Sequence, residues 1–366
     1  MTISVFLNLT AGLVLLVGGA EVLVRGAGKL AAQFGIPPLI IGLTVVAFGT
    51  SAPETAVSVQ AAINGSGDLA IGNVVGSNIA NILLILGLTA LIAPLIVSRQ
   101  LIRLDVPIMI GASLLTFALA WDGQLDRIDG AILFGCILAY TAFLITTGRR
   151  EQAAAALDDE FNREFGLQVA PKPYAWAINL ALIVAGLVLL VSGSNLLVEG
   201  AVSLARALGL SELVIGLTVV AIGTSLPELA TSVTAAFKGE RDIAVGNIVG
   251  SNIFNLLCVL GLSALVSPDA IQVARNALQF DFPVMTAVAI ACLPIFFSGY
   301  SIDRWEGGLF VTYYAIYTGY LIMHSSGAPW LGAMQQAMLT FVLPLTILTL
   351  LVIGVRAWQR QRVSKE

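Results

Sequence analysis

The sequence predicts an all-α polytopic membrane protein in which two inverted five-helix repeats form a ten-helix core and a C-terminal eleventh span follows. Three observations predict this fold class: the composition, an internal repeat and the distribution of basic residues. Hydrophobic residues make up 58% of the 366 residues and charged residues only 11%, and the mean hydropathy is +0.93. Such a composition is typical of a chain whose solvent is the bilayer, and it excludes an ordinary soluble domain.

The spans follow from the thickness of the bilayer, because about 20 apolar residues cross its hydrocarbon core. No cleavable signal peptide is expected, since Met1 is followed by a full-length apolar segment without a basic n-region. On this measure we predict eleven spans, at residues 3–24, 36–62, 68–93, 101–121, 128–147, 175–198, 210–236, 242–266, 278–297, 305–323 and 335–356.

The internal repeat relates residues 42–88 to residues 216–262, which are identical at 31 of 47 aligned positions. Each copy contains Gly-Thr-Ser-x-Pro-Glu followed by Gly-Ser-Asn-Ile-x-Asn. Because five spans make up each repeat, the second copy is expected to enter the membrane upside down. We therefore divide the chain into repeat 1 (1–148, with the first copy at 42–88), a cytoplasmic linker (149–174), repeat 2 (175–325, with the second copy at 216–262), and an extra span with a basic cytoplasmic tail (326–366).

The basic residues predict the orientation. With the N-terminus outside and the C-terminus in the cytoplasm, fifteen of the 18 Lys and Arg residues lie inside. Only Arg127, Arg206 and Arg275 lie outside, which is a strong positive-inside bias. The prediction is a multi-pass protein of the cell (inner) membrane, with the loops at positions 124 and 300 on opposite sides.

Two smaller patterns concern charged residues at the ends of spans. Glu21 and Arg25 stand four residues apart and predict a helix-end ion pair. Asp105 lies just before Val106-Pro107, and Asp281 occupies the matching position before Phe282-Pro283. We expect these two aspartates to cap the helices that follow them.

The candidate site begins with a carboxylate placed inside apolar sequence, where it is costly unless it binds something. Proline at position 53 cannot donate a backbone hydrogen bond, so the second span should break near its middle. The carbonyls of Ala47 and Thr50 could then ligate a cation beside Glu54. The second copy repeats this arrangement with Ala221, Thr224, Ser225, Pro227 and Glu228.

The neighbouring spans carry polar residues every four positions, which places them on one stripe of a helix. The stripes consist of Asn73, Ser77 and Asn81 and of Asn247, Ser251 and Asn255. Glycines at 72, 76, 246 and 250 are expected to let a neighbouring backbone approach. Oxygen ligands without His or Cys favour hard cations such as Na⁺, Ca²⁺ or Mg²⁺. A purely helix-packing role stays open for Asn73, Asn78, Asn247 and Asn252.

These motifs, present twice and inverted, resemble the paired α-repeats of the calcium/cation antiporter superfamily, and specifically its bacterial sodium/calcium exchanger-like branch. The resemblance covers spans 1–10. It implies ten core helices, with spans 1 and 6 sliding as a gating bundle on contacts made by glycines 12, 18, 19, 26, 186, 193 and 200. It implies a cation site made by Ala47, Thr50, Ser51, Glu54, Ser77 and Asn81 together with Ala221, Thr224, Ser225, Glu228, Ser251 and Asn255.

The resemblance also implies a function, namely secondary active exchange of Na⁺ for Ca²⁺ by alternating access, with no cofactor beyond the transported ions. The expected partners are those ions and the lipid bilayer, with no nucleic acid. Many relatives, including the potassium-dependent exchangers, have aspartate at the position of Asn255, so exchange without K⁺ is predicted. A Ca²⁺/H⁺ exchanger is the alternative, and a channel is a further one. An intramembrane enzyme is disfavoured, because the chain lacks His-Glu-x-x-His and Gly-x-Ser-x-Gly.

Overall fold

The computed structural model describes residues 3–34, 37–163, 175–207, 221–297 and 299–326, together with positions 332 and 336. The predicted eleventh span and the basic tail lie outside the described residues, apart from position 336. Residues 208–220, which include the start of the predicted seventh span, also lie outside them.

The described residues of the first half form six helices and two short strands. In chain order they are α1 (Ile3–Phe34), α2 (Leu39–Thr50), α3 (Ala52–Ile63), α4 (Gly67–Ile92), β1 (Leu95–Ile96), α5 (Leu101–Asp122), β2 (Gln124–Leu125) and α6 (Arg127–Arg163). Helix α6 continues without interruption beyond the predicted fifth span into the linker.

The second half has a matching order of elements. These are α7 (Ala175–Ala207), α8 (Ala221–Thr224), α9 (Leu226–Phe237), α10 (Arg241–Val266), β3 (Ile271–Gln272), α11 (Ala277–Phe297), β4 (Ser301–Ile302) and α12 (Arg304–Ser326).

Within the described residues, seven helices are long and apolar enough to cross a membrane, or up to eight if the bent pair α2–α3 forms one span. The prediction of a helical membrane protein with many spans is confirmed. Ten core spans and an eleventh stay a prediction, since α12 is not among the seven and the predicted spans 7 and 11 fall partly or almost wholly outside the described residues.

Helices α4 and α10 form the centre of the protein. Their spanning windows are 72% and 89% buried, against 28% to 39% for α1, α5, α6, α7 and α11. The outer helices expose large apolar side chains such as Leu13, Val14 and Val188, which is favourable where the surrounding solvent is lipid. A polar group on α4 or α10 is therefore the one best shielded from both lipid and water.

Helices α1 and α7 pack antiparallel through glycines spaced seven residues apart. A Cβ atom on Gly12 would lie 2.8 Å from the Gly193 carbonyl oxygen, and one on Gly19 would lie 2.9 Å from that of Gly186. Small residues allow such close contact between backbones within a membrane. These four glycines were expected at sliding contacts, but they join the two helices to each other instead.

Two short strand pairs connect the halves of the chain. Strand β1 pairs antiparallel with β4, with Leu95 opposite Ile302. Strand β2 pairs antiparallel with β3, with Leu125 opposite Ile271. Each pair joins a loop of the first half to a loop of the second, so the halves are interlocked at two separate places.

Each of the two aspartates that were expected to act as helix caps binds a tyrosine. The Tyr140 hydroxyl donates to Asp105 Oδ1 at 2.9 Å, and the Tyr317 hydroxyl donates to Asp281 Oδ1 at the same distance. The Asp105 side chain makes no capping hydrogen bond to helix α5, so that expectation is wrong for this residue. A carboxyl group that is shielded from water needs a hydrogen-bond donor, and here the neighbouring helices α6 and α12 supply it.

The predicted ion pair between Glu21 and Arg25 is confirmed, with an N–O distance of 2.6 Å. The same Glu21 oxygen also lies 2.6 Å from Lys238 Nζ at the end of α9. Glu21 thus connects α1 to the helices around the candidate site, a contact that i, i+4 spacing cannot reveal.

The glycine contacts predict a position-specific effect of adding one methyl group. Gly19→Ala should destabilise the protein by about 1–3 kcal/mol, because the new Cβ would overlap the α7 backbone and force the helices apart. Gly18→Ala is the matched control, since no described atom lies within 4 Å of its Cβ position. Thermal unfolding of the detergent-purified variants measures the difference. Equal transition temperatures for the two variants would contradict this view of the α1–α7 contact.

Candidate ion-binding site

The site forms where two helices break. Helices α2 and α3 meet at Ser51 with a bend of 48°, and Pro53 occupies the first turn of α3. In the second half, α8 ends at Thr224 and α9 begins at Leu226, with Pro227 in its first turn. Proline is tolerated in a first turn because its missing N–H would have no helical partner there. The expected mid-span break is thus present in both copies.

The two glutamates are fully buried and their hydrogen bonds cross between the copies. The Ser51 hydroxyl donates to Glu228 Oε1 at 3.0 Å, and the Ser225 hydroxyl donates to Glu54 Oε1, also at 3.0 Å. Each carboxyl group therefore accepts a hydrogen bond from the serine that lies two residues before the proline of the other copy. Neither half can form this arrangement alone.

Serines of the central helices extend the cluster. Ser77 Oγ on α4 lies 3.2 Å from Ser225 Oγ. Ser251 Oγ on α10 lies 3.4 Å from Glu228 Oε1. Both serines are buried, so each central helix contributes a hydroxyl oxygen next to the glutamates.

The threonines beside the breaks bind asparagines of the opposite copy. The Thr50 hydroxyl donates to Asn247 Oδ1 at 3.1 Å, and the Thr224 hydroxyl donates to Asn73 Oδ1 at 3.3 Å. A second crossed pair of contacts thus surrounds the first.

The asparagines at the ends of the two polar stripes, Asn81 and Asn255, differ in their hydrogen bonds. The Asn81 amide nitrogen donates to Asn252 Oδ1 at 3.2 Å. Asn255 is fully buried, and neither of its side-chain polar atoms has a hydrogen-bond partner among the described residues. Irregular π-helical turns begin at Asn81 and Asn255, and such turns are frequent at functional sites.

The two alanines of the expected site would contribute only main-chain oxygens. The Ala47 carbonyl accepts a backbone hydrogen bond from Ser51 at 3.0 Å and lies 3.4 Å from the Thr50 hydroxyl. Ala221 begins helix α8. The structure therefore brings together the serines, threonines and glutamates of the expected set. Asn81 binds Asn252 instead, and the polar side-chain atoms of Asn255 have no hydrogen-bond partner among the described residues.

The chemistry of this cluster suits a hard cation. Glu54 Oε2 and Glu228 Oε2 are buried without a hydrogen-bond donor from any described residue, and buried acceptors without a donor are unfavourable. Within the described ranges, no three His, Cys, Asp or Glu side chains are placed so that they could hold a metal ion together. A bound ion would therefore have to combine two carboxylates with neutral hydroxyl, amide and carbonyl oxygens, which are ligands typical of Na⁺ and Ca²⁺.

Three contacts near the site were missed by the analysis of the sequence. Ser58 and Ser232 accept hydrogen bonds from the Asn73 and Asn247 amide groups, at 2.9 and 3.0 Å. Both serines lie four residues after a site glutamate, so the repeat contained a signal for them. Ser194 on α7 donates to the Gly223 carbonyl at 2.6 Å, a contact for which spacing gives no signal.

The expected close approaches at glycine occur in the second copy. A Cβ on Gly246 would lie 2.9 Å from the Leu39 carbonyl oxygen, and one on Gly250 would lie 2.8 Å from the Leu43 Cα. Helix α2 therefore packs directly on α10. The matching segment that would face Gly72 and Gly76 begins in residues 208–220, outside the described part of the chain.

The chain is similar to several known membrane proteins and exchangers. The chain is 44% identical over 284 residues to the inner membrane protein YrbG of Escherichia coli. The aligned residues cover 77% of this chain and 85% of YrbG. It is 34% identical to the sodium/calcium exchanger MaX1 of Methanosarcina acetivorans, over 85% of this chain and 97% of MaX1. A solved structure of the sodium-calcium exchanger NCX_Mj matches with a TM-score of 0.74 and 30% identity, covering 88% of this chain and 100% of NCX_Mj.

The profile of one protein family matches both halves of the chain, at residues 4–146 and 178–323. These ranges contain both glutamates and both polar stripes, so the match includes the whole candidate site. The resemblance inferred from the repeated motifs is confirmed, and the family comprises ion transporters rather than enzymes. The chain belongs to the sodium/calcium exchanger protein family.

Proposed function

We propose that the protein is a secondary active antiporter that exchanges Na⁺ for Ca²⁺ across the membrane by alternating access. The observation that carries the proposal is the pair of fully buried glutamates, each bonded to a serine of the opposite half and surrounded by neutral oxygens. MaX1 and NCX_Mj are named as sodium/calcium exchangers. The twelve residues predicted from the motifs are the proposed ligands, including Ala47, Ala221 and Asn255.

Charge balance explains why the proposed carrier would exchange ions rather than leak them. Ionised Glu54 and Glu228 give the site a charge of about −2, which one Ca²⁺ or two Na⁺ would neutralise. A site with both glutamates ionised and no bound ion is costly to enclose in the low-dielectric interior. The ion-loaded forms are therefore the ones in which the site changes the side of the membrane to which it opens. Net influx of one ion type then requires efflux of the other.

Electrogenic transport follows if a third Na⁺ binds with the first two. One net positive charge then crosses per cycle, and the membrane potential contributes about 2.3 kcal/mol per charge per 100 mV. An inside-negative potential would drive Na⁺ inward and Ca²⁺ outward. We propose this direction for a protein of the inner membrane.

The proposed architecture is the ten-helix inverted repeat, with the domain limits given above, an eleventh span, an outside N-terminus and a cytoplasmic C-terminus. The strand pairs support it: β1 and β4 lie in loops assigned to the inside, and β2 and β3 lie in loops assigned to the outside. Corresponding contacts also recur in both halves, as in the Asp105–Tyr140 and Asp281–Tyr317 pairs.

The function is tested by removing one carboxylate charge at a time. Glu54→Gln and Glu228→Gln should each reduce Na⁺-driven ⁴⁵Ca²⁺ uptake into proteoliposomes to background. Loss of one of two buried charges facing a divalent ion costs about 3 kcal/mol, on the order of 100-fold in affinity. Uptake close to that of the wild type in either variant would remove that glutamate from the site.

The matched control for this test is Glu199→Gln, which removes a carboxylate that is exposed and lies near Asn8 on the outer pair of helices. This variant should transport normally. Imposing Na⁺ and H⁺ gradients separately on the wild type decides between the proposal and a Ca²⁺/H⁺ exchanger. Uptake that follows only the H⁺ gradient would contradict Na⁺ exchange.

The topology is tested with two cysteines in exposed loop positions. Gln124→Cys should react with a membrane-impermeant maleimide from outside, and Asp303→Cys only from inside, because the two loops are equivalent in the repeats and only inversion separates them. The unmodified chain, which contains Cys136, Cys258 and Cys292, measures background labelling. Reaction of both cysteines from the same side would overturn the inverted arrangement.

The asparagine at 255 predicts exchange without K⁺. The uncharged amide supplies no third carboxylate to balance the charge of an additional cation, so Na⁺-driven uptake should be equal in K⁺ and in choline media. Asn255→Asp should change the K⁺ or pH response, because the new carboxyl would titrate beside two others. Strict K⁺ dependence of the wild type would show that K⁺ is held elsewhere.

A further inference from the structure

A directional chain of hydrogen bonds runs from the second half of the protein into the first. The Asn247 amide nitrogen donates to the Glu228 carbonyl oxygen at 3.3 Å and to Ser232 Oγ at 3.0 Å. Ser232 in turn donates its hydroxyl hydrogen to the Ala244 carbonyl at 3.3 Å. On its other side, Asn247 Oδ1 faces the Thr50 hydroxyl at 3.1 Å. Asn247, Ser232 and Thr50 are all fully buried.

Two backbone carbonyls fix the direction of every bond in this chain. A carbonyl oxygen can only accept, so the side of Asn247 that faces Glu228 O must be its NH₂ group. The opposite side must then be the amide oxygen, which also only accepts. The Thr50 hydroxyl is therefore the donor in its contact with Asn247, because two acceptor oxygens 3.1 Å apart would otherwise repel each other. The Ala47 carbonyl lies farther from this hydroxyl, at 3.4 Å.

This assignment has a consequence for cation binding. With its hydrogen directed at Asn247, Thr50 Oγ1 presents only lone pairs to the rest of the site. The same hydroxyl is within hydrogen-bonding reach of the Glu228 carboxyl group, which when ionised competes with Asn247 for its single hydrogen. While Asn247 holds the hydrogen, the Thr50 oxygen and the Glu228 carboxylate face each other as two acceptors. A cation bound between them stabilises this arrangement, so the orientation that Asn247 imposes favours cation binding.

We propose that Asn247 is a positioning residue that orients the threonine of the opposite repeat, and that Asn73 does the same for Thr224. The mirrored contacts support the pairing: the Asn73 amide donates to the Glu54 carbonyl at 3.3 Å and to Ser58 at 2.9 Å, and its oxygen accepts from Thr224 at 3.3 Å. Neither asparagine is among the proposed ligands. The inference rests on the proposed function, because it explains how that cation site is kept in a binding orientation.

The inference predicts which pairs of residues are energetically coupled. Asn247→Ala frees the Thr50 hydroxyl to turn its hydrogen towards Glu228, and should raise the half-saturating Ca²⁺ concentration about tenfold, the upper range for one hydrogen bond. Thr50→Val removes that hydroxyl with little change in shape. In the Thr50→Val background, Asn247→Ala should have no further effect, because the group that it orients is already absent.

The matched control uses the threonine that Asn247 does not touch. In the Thr224→Val background, Asn247→Ala should still raise the half-saturating Ca²⁺ concentration by the same factor as in the wild type. A helix-packing role for Asn247 would give equal losses in both threonine backgrounds. The measurement is initial ⁴⁵Ca²⁺ uptake into Na⁺-loaded proteoliposomes as a function of external Ca²⁺, for the wild type, three single variants and two double variants.

Ser232→Ala provides a milder test if Asn247→Ala does not fold. It removes one of the two acceptors that hold the Asn247 amide, so it should raise the half-saturating Ca²⁺ concentration by about threefold, and only when Thr50 is present. Losses that simply multiply in the Asn247–Thr50 or Ser232–Thr50 pairs would overturn the inference while leaving the exchanger intact. Absence of Na⁺-driven Ca²⁺ uptake in the wild type would instead overturn the proposed function.

Discussion

Two carboxyl groups enclosed in the protein interior constrain the structure around them. An ionised carboxylate in the middle of a bilayer costs about 3 kcal/mol even on lenient insertion scales, and a second one nearby adds repulsion. Glu54 and Glu228 are tolerated because hydroxyl groups surround them and because both lie in the first turn of a helix, where the helix dipole favours negative charge. The breaks before α3 and α9 create those helix starts inside the membrane, so the prolines and the glutamates depend on each other.

The crossed contacts make the two halves inseparable at the centre. Ser51 donates a hydrogen bond to Glu228, and Ser225 donates one to Glu54. The threonine–asparagine hydrogen bonds cross between the halves in the same way. Helices α1 and α7 lie outside this network and are joined to each other by their glycine contacts. In the proposed alternating-access cycle, they are the helices that could move as a unit without breaking the crossed bonds of the glutamates, serines, threonines and asparagines. Their polar links to the centre include the Ser194–Gly223 hydrogen bond and the Glu21–Lys238 ion pair, and apolar side chains of α7 such as Leu187 pack against Gly49 at the break.

Much of this could be read from the sequence, because a repeat of 47 residues shows each functional position twice. Proline and glycine predicted the broken helices, and the family followed from the same motifs. What remained hidden depends on contacts between residues distant in sequence. Asp105 binds Tyr140 35 positions away, whereas the local pattern suggested a helix cap. The seven-residue spacing of the glycines is visible in the sequence, but the sequence does not show which helix those glycines contact. A row of small residues allows close packing against any neighbouring helix.

The departures from symmetry between the repeats have a physical meaning for the proposed carrier. If the halves were identical, an inverted repeat would give inward-facing and outward-facing states of equal energy, because each state would be the other turned over. The chain breaks this equivalence close to the site. Asn81 binds Asn252 while Asn255 has no described partner, and Ser194 bonds Gly223 where the corresponding residue of α1 is Ala20. Because such bonds exist in one half only, they stabilise one state more than the other, and a difference of 1.4 kcal/mol would shift the two populations tenfold. The equivalent hydrogen bonding of the two glutamates therefore fits the ion binding proposed for both repeats, whereas the unequal hydrogen bonds around them can set the resting orientation of the proposed carrier.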